Sequence, residues 1–130
     1  MKRIIIIIGF GIVLILFCSF LALHIWIGCS VRENIKIAKQ KYPGTAEEAL
    51  ISFLLDENNS FHDRTHSAIW TLGQIRSKKA LPVLNSYYKN DPKGKTCYGR
   101  HNTVLCQYEI HKAIVAIDRG RLFSHSRLNK

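Results

Sequence analysis

Between Ile4 and Gly28 the chain carries 25 residues without a charged side chain, and it starts on five consecutive isoleucines. As a helix, a run of that length rises about 37 Å, enough to cross a hydrocarbon core of about 30 Å with some tilt. A helix with no polar face has nothing to offer water, which argues against a half-buried core helix. A membrane-inserted segment is therefore expected over residues 1–29, with Lys2 and Arg3 at its basic start. An apolar run this long exceeds the roughly 7–15 residues of a cleaved secretory signal, so an uncleaved anchor is the first reading.

An alternative stays open at its end. Ile27-Gly28-Cys29-Ser30 resembles the end of a bacterial lipoprotein signal, in which a small residue precedes the Cys that is lipidated. Trp26 stands where that motif favours a small aliphatic residue. Cys29 is accordingly the lipidation alternative to the anchor. Two basic residues precede the apolar run and four follow it closely (Arg32, Lys36, Lys39, Lys41), so charge counting alone does not orient the segment. The short basic start followed directly by the apolar run is laid out like a signal. The expected address is the bacterial inner membrane, single-pass, with the following domain outside the cytoplasm.

After Ser30 the text becomes amphipathic. Ser30 with Glu33 has the spacing of a capping box, and Val31, Ile35, Ala38 and Tyr42 fall at intervals of four, three and four. Residues 30–44 are expected to form a short basic stalk, ended by Pro43-Gly44. Thr45 with Glu48 is a second capping box, opening a helix with Ala49, Leu50, Phe53 and Leu54 on one stripe. Residues Asp56 to Ser60 read as a polar loop, and Ser60 or Asp63 as the cap of the next helix. From Asp63 to Tyr88 come two more stripes, Ala68, Ile69, Leu72, Ile75 and then Ala80, Leu81, Leu84 with Tyr87 or Tyr88. Gly73 inside the first of these implies close packing of the helix that follows, because Gly costs about 1 kcal/mol against Ala in a helix. Ser77 is expected to cap the second helix, with Pro82 in its first turn. A long loop, Asn90 to Asn102, precedes a last helix expected from Thr103 to Arg119, with Gly120 just past its end and a basic tail over 120–130.

Two internal matches organise these pieces. EEALISFL near Ala49 matches KKALPVL near Ala80, and HSAIWTL from His66 matches HKAIVAI from His111. With AIWTLGQI and KKALPVL as its most specific text, the stretch from Thr45 to Arg119 resembles a HEAT-like helical repeat of the phycobilisome-lyase type. The resemblance implies an all-α fold: an N-terminal transmembrane helix followed by a short α-solenoid of about two helix pairs over 45–119. Folds of that kind mostly present surfaces to partners.

Chemistry is sparse. No nucleophile–base order, phosphate-cradling loop or paired carboxylates stand out, and no catalytic residue, cofactor or resident metal is expected. Cys97 and Cys106 are candidates for a disulfide that pins the long loop, whereas Cys18 lies within the apolar run. A competing reading takes Cys97, His101, Cys106 and His111, or His66 with Cys97, Cys106 and His111, as metal ligands or catalytic groups of an accessory enzyme. His62 and His66 share a helix face without an indicated third ligand. The net charge of +10 divides evenly. Residues 1–42 hold six basic and one acidic side chain, and 43–130 hold thirteen and eight, so the domain is too mildly basic to suggest nucleic-acid binding. The expected function is non-catalytic, a membrane-held module for a protein or peptide partner. Its candidate surface is Lys78, Lys79, Asn85 and Lys89 with Tyr98, Arg100 and His101, and Trp70, Tyr87 and Tyr88 are possible anchors more simply read as packing.

Overall fold

The computed structural model describes residues 2–119, with side chains from Ile7 onward. The described residues are helical, without a strand. They divide into two compact units, Met1–Ser30 and Val31–Lys130. The basic tail over 120–130 and the expected helix stop at Gly120 lie outside the described residues.

The first helix, α1 (Lys2–Lys41), runs through both units. Its apolar part is long and apolar enough to cross a membrane, with a mean hydropathy of 2.5 and none of that window buried. Large apolar side chains stand exposed along it, from Ile7 and Phe10 to Ile25 and Trp26. The hydroxyl of Ser19 donates back to the Ile15 carbonyl at 2.8 Å, so it needs no water. Because α1 continues through Ser30 and Glu33, these two residues do not form the expected capping box. Gly28 is accommodated within α1, and an uninterrupted helix already satisfies the backbone groups that a cap would bond.

The second unit takes its first core residues from α1: Val31, Ile35 and Ala38 are buried. Asn34 donates from Nδ2 to Thr71 Oγ1 at 2.9 Å. The capping box at Thr45 and Glu48 is present and opens α2 (Ala46–Leu55), whose buried stripe is Ala46, Ala49, Leu50, Phe53 and Leu54. Asp56 at the end of α2 is more than loop. Its carboxylate accepts from Tyr42 Oη and from Asn58 N at 2.9 Å, with Lys41 Nζ at 3.7 Å. The Tyr42 hydroxyl above all, then the Asn58 amide, hold its pKa down at about 2.

Ser60 caps α3 (Phe61–Asp63), its hydroxyl accepting from Asp63 N at 3.0 Å. The chain continues through a π-helical segment, Arg64–Ile69, into α4 (Trp70–Gln74). Arg76 takes the left-handed conformation (φ 53°) and turns the chain. Ser77 then precedes a 3₁₀ turn, Lys78–Ala80, leading to α5 (Leu81–Tyr87), with Pro82 in its first turn. The expected Ser77 cap is not made: its hydroxyl is buried and has no partner among the described residues. The last helix, α6 (Gln107–Asp118), begins four residues later than the periodicity suggests. Cys106 is held extended as its N-cap residue, its N–H donating to Thr65 Oγ1 at 3.3 Å.

The core lies where the stretch from Arg64 to Gln74 meets α2 and α6, with α5 also packed on α6. Gly73 sets the approach of α4 and α6. A Cβ there would stand 2.9 Å from Ala113 Cα and 3.1 Å from Ala113 Cβ. The expectation of close packing at Gly73 is met by α6, not by the next helix in the chain. A Gly73→Ala substitution gains about 1 kcal/mol of helix propensity and incurs an overpacking cost of up to about 3 kcal/mol, here against backbone. Thermal unfolding of this variant is expected to show a melting temperature lowered by roughly 4–8 °C for each kcal/mol of net loss. An unchanged or raised value would show that the two helices stand further apart.

Candidate functional site

Extending the buried stripe Leu72–Ala68 back by one turn lands on Arg64, so the helix carries a guanidinium into the position of a core residue. Arg64 is 3% exposed. Its Nε donates to the Leu54 carbonyl at 2.7 Å, in the last turn of α2, where a cation complements the helix dipole. Its Nη2 donates to Tyr87 Oη at 3.3 Å. The guanidinium carbon lies 5.6 Å from the Phe61 ring centre and 5.7 Å from that of Tyr87, within cation–π range of both. Among the described residues no carboxylate lies within ion-pair distance of it. Among the described residues Nη1 has no hydrogen-bond partner, and it is not one of the sealed, unsatisfied polar atoms.

What adjoins it is a cavity of about 600 Å³. Phe61, Arg64 and Glu57 line one side, Tyr87, Lys89 and Gln107 another, and Thr96, Arg100, Thr103, Val104 and Leu105 complete it. Gln107, 4% exposed, fixes the end of α5 with both ends of its amide: Oε1 accepts from Lys89 N at 2.7 Å and Nε2 donates to the Tyr87 carbonyl at 3.1 Å. The loop side is set by Asp91, whose carboxylate accepts from the backbone N–H groups of Lys95 (3.1 Å) and Thr96 (2.8 Å) and from the Thr96 hydroxyl. Those amides lower the Asp91 pKa. The walls thus bring three cations and one carboxylate around a partly apolar space.

The expected surface is divided by the structure. Lys89 and Arg100 line the cavity, although Lys89 lies beyond the end of α5 and not in its helical row. Lys78 and Asn85 are exposed, and Lys79 reaches Glu48 at 3.4 Å and Glu47 at 4.0 Å. Tyr98 is 90% exposed. Cys29 is exposed in the first unit.

The Cys and His groups separate into three places. Cys97 and Cys106 are buried thiols with their sulfur atoms 2.7 Å apart. Burial, and then the hydrogen bond shared with Cys97, push the Cys106 thiol up to about 11. Gly94, in the left-handed conformation (φ 64°), leaves room for this pair: a Cβ on it would stand 3.0 Å from Cys97 Sγ. His111 instead stacks on Tyr88, with ring centres 5.6 Å apart. His101 joins His66 at 5.5 Å, and His66 joins His62 at 4.5 Å. The quartets of the competing reading therefore do not assemble among the described residues. Among the described residues no three His, Cys, Asp or Glu side chains form a group able to hold a metal.

The three imidazoles have an electrostatic consequence. Burial first, and then the neighbouring His62, lower the His66 pKa below its ordinary 6.5, with His101 and Lys112 acting the same way and Glu109 opposing. The folded state favours neutral His66, so its contribution is complete above about pH 6.5 and is lost as pH falls through the lower folded value. Carboxylates such as Asp56 lose theirs only at lower pH, as the solution passes from 3.8 toward about 2. Melting temperatures measured from about pH 7 to about pH 5 should fall, and His66→Gln should flatten that fall. An identical slope in the variant would remove His66 as the cause.

No protein-family model, no curated protein and no solved structure matches the chain.

Proposed function

We propose that this chain is a non-catalytic interaction module, anchored by α1 in the bacterial inner membrane with its helical domain outside the cytoplasm. The observation that carries the reading is the cavity beside Arg64, where a buried guanidinium without a counter-ion meets Lys89 and Arg100. A buried charge without a counter-ion is costly, and a site that keeps one is suited to receive the opposite charge from outside. The exposed apolar side chains of the first unit support the anchor, and the short basic start supports the orientation.

A short HEAT-like repeat belongs to the same reading. The internal matches align Ala49 with Ala80 and Ala68 with Ala113, and all four are at most 3% exposed. So does a disulfide between Cys97 and Cys106, which would fix the loop carrying Thr96 and Arg100. The two thiols would give two electrons and two protons to the disulfide of a thiol oxidoreductase, forming one S–S bond here and two thiols there. Closing this loop would stabilise the domain by roughly 2–3 kcal/mol. Intact protein from native membranes is expected to weigh two hydrogen atoms less than its reduced form, with a Cys97–Cys106 linkage after digestion. Free thiols in freshly alkylated membranes would contradict the extracytoplasmic stapled domain.

The function itself is tested by placing a photo-crosslinking residue at Thr96 or Lys89 in the full chain and irradiating cells. A discrete adduct from these positions, weakened by Arg100→Ala, is expected. Adducts from Lys78 or Tyr98 but not from Thr96 or Lys89 would move the surface to the expected second-helix row. None from any of the four would end the interaction-module reading.

A further inference from the structure

We infer that the cavity beside Arg64 is a carboxylate-binding site, and that the protein partner of this module presents an aspartate or glutamate side chain to it. The inference rests on the interaction-module reading and names the chemistry of the partner. A guanidinium has five N–H donors in a planar fork. In Arg64 one edge is committed, with Nε on the Leu54 carbonyl and Nη2 on Tyr87 Oη. The end of the fork, between Nη1 and the second N–H of Nη2, matches the two oxygens of a carboxylate. Its plane is held by Phe61 and Tyr87, so little freedom is left to lose on binding.

The charge balance selects an anion: Arg64, Lys89 and Arg100 outnumber the one carboxylate, Glu57, by two charges. Phe61, Val104 and Leu105 supply apolar wall beside the cations, as suits a carboxyl group carried on a hydrocarbon stem. A volume of about 600 Å³ is also within the usual range for a specific ligand site, roughly 300–1,000 Å³.

The test uses full-length protein in zwitterionic detergent and a capped peptide, Ac-Leu-Glu-Leu-NH2, whose only charge is its carboxylate. Its amide counterpart Ac-Leu-Gln-Leu-NH2, inorganic phosphate and added phosphatidylglycerol are the comparison probes. Binding is followed through the amide resonances of Lys89 and Gln107. The Glu peptide is expected to bind saturably, about tenfold or more tighter than the Gln peptide, and to weaken as salt is raised. Arg64→Lys, which keeps the charge and loses the fork, should weaken it about tenfold with helix content unchanged. Should that variant fail to fold, Arg100→Ala on the exposed rim should still weaken the Glu peptide several-fold and leave the Gln peptide unaffected. Equal binding of the two peptides, or no binding of either, overturns the inference, as does tighter binding of phosphate or of phosphatidylglycerol. If adducts still form from Thr96 or Lys89 in cells while the peptides fail, only the carboxylate specificity falls. If the peptides fail and no adduct forms from Thr96, Lys89, Lys78 or Tyr98, the interaction-module reading falls with it.

Discussion

The guanidinium of Arg64 is the constraint on which the functional half of this domain depends. Left alone in the interior, a cation of this size would be strongly unfavourable. Here it is held by a carbonyl at the end of α2, a hydroxyl from α5 and two aromatic faces. They come from three residues, Leu54, Phe61 and Tyr87, so one side chain ties the end of α2 to the end of α5 across the π-helical segment. Single-turn π segments recur at functional sites. This one begins on the residue that carries the charge and also supplies Thr65, which fixes the start of α6. Removing the charge would therefore loosen the geometry around the cavity as well as its electrostatics.

Around that centre the packing is ordinary and tight. Gly73 admits Ala113 to backbone contact, and α1 contributes Val31, Ile35 and Ala38 to the core of the second unit. Gln107 satisfies both ends of its buried amide on the backbone that leaves α5. A fully bonded buried amide specifies position, because any shift breaks two hydrogen bonds at once. The exposed ion pairs of Lys79 and Lys112 contribute little by comparison, being screened by solvent.

Much of the fold was legible because it rests on periodicity. The stripes through Leu50, Leu72, Leu84 and Ile110 are buried where their spacing puts them. The capping box at Thr45 follows the Pro43-Gly44 break and forms, whereas the same spacing at Ser30 lies inside the continuous α1 and does not. The start of α6 was missed because a long-range bond from Thr65 and the sulfur of Cys97 decide the conformation of Cys106, and neither leaves a local mark. The site was less legible still. Lys89 and Arg100 could be named as surface cations, but Arg64 reads as solvent-facing by residue type. Only its place one turn ahead of Ala68 and Leu72 marked it as buried. The histidines show the same limit: His101 meets His66 through the fold of the loop, 35 positions away in sequence.

The most direct test of the central claim is the exchange of the Arg64 guanidinium protons with water, read by nitrogen-resolved NMR on the selectively labelled chain. A buried guanidinium bonded at Nε and open at Nη1 should show a slowly exchanging Nε–H beside rapidly exchanging terminal N–H groups. Uniformly fast exchange would mean that Arg64 is not held in the core. Uniformly slow exchange would mean that a group of the protein already occupies its fork, and the cavity would then have no guanidinium fork to offer.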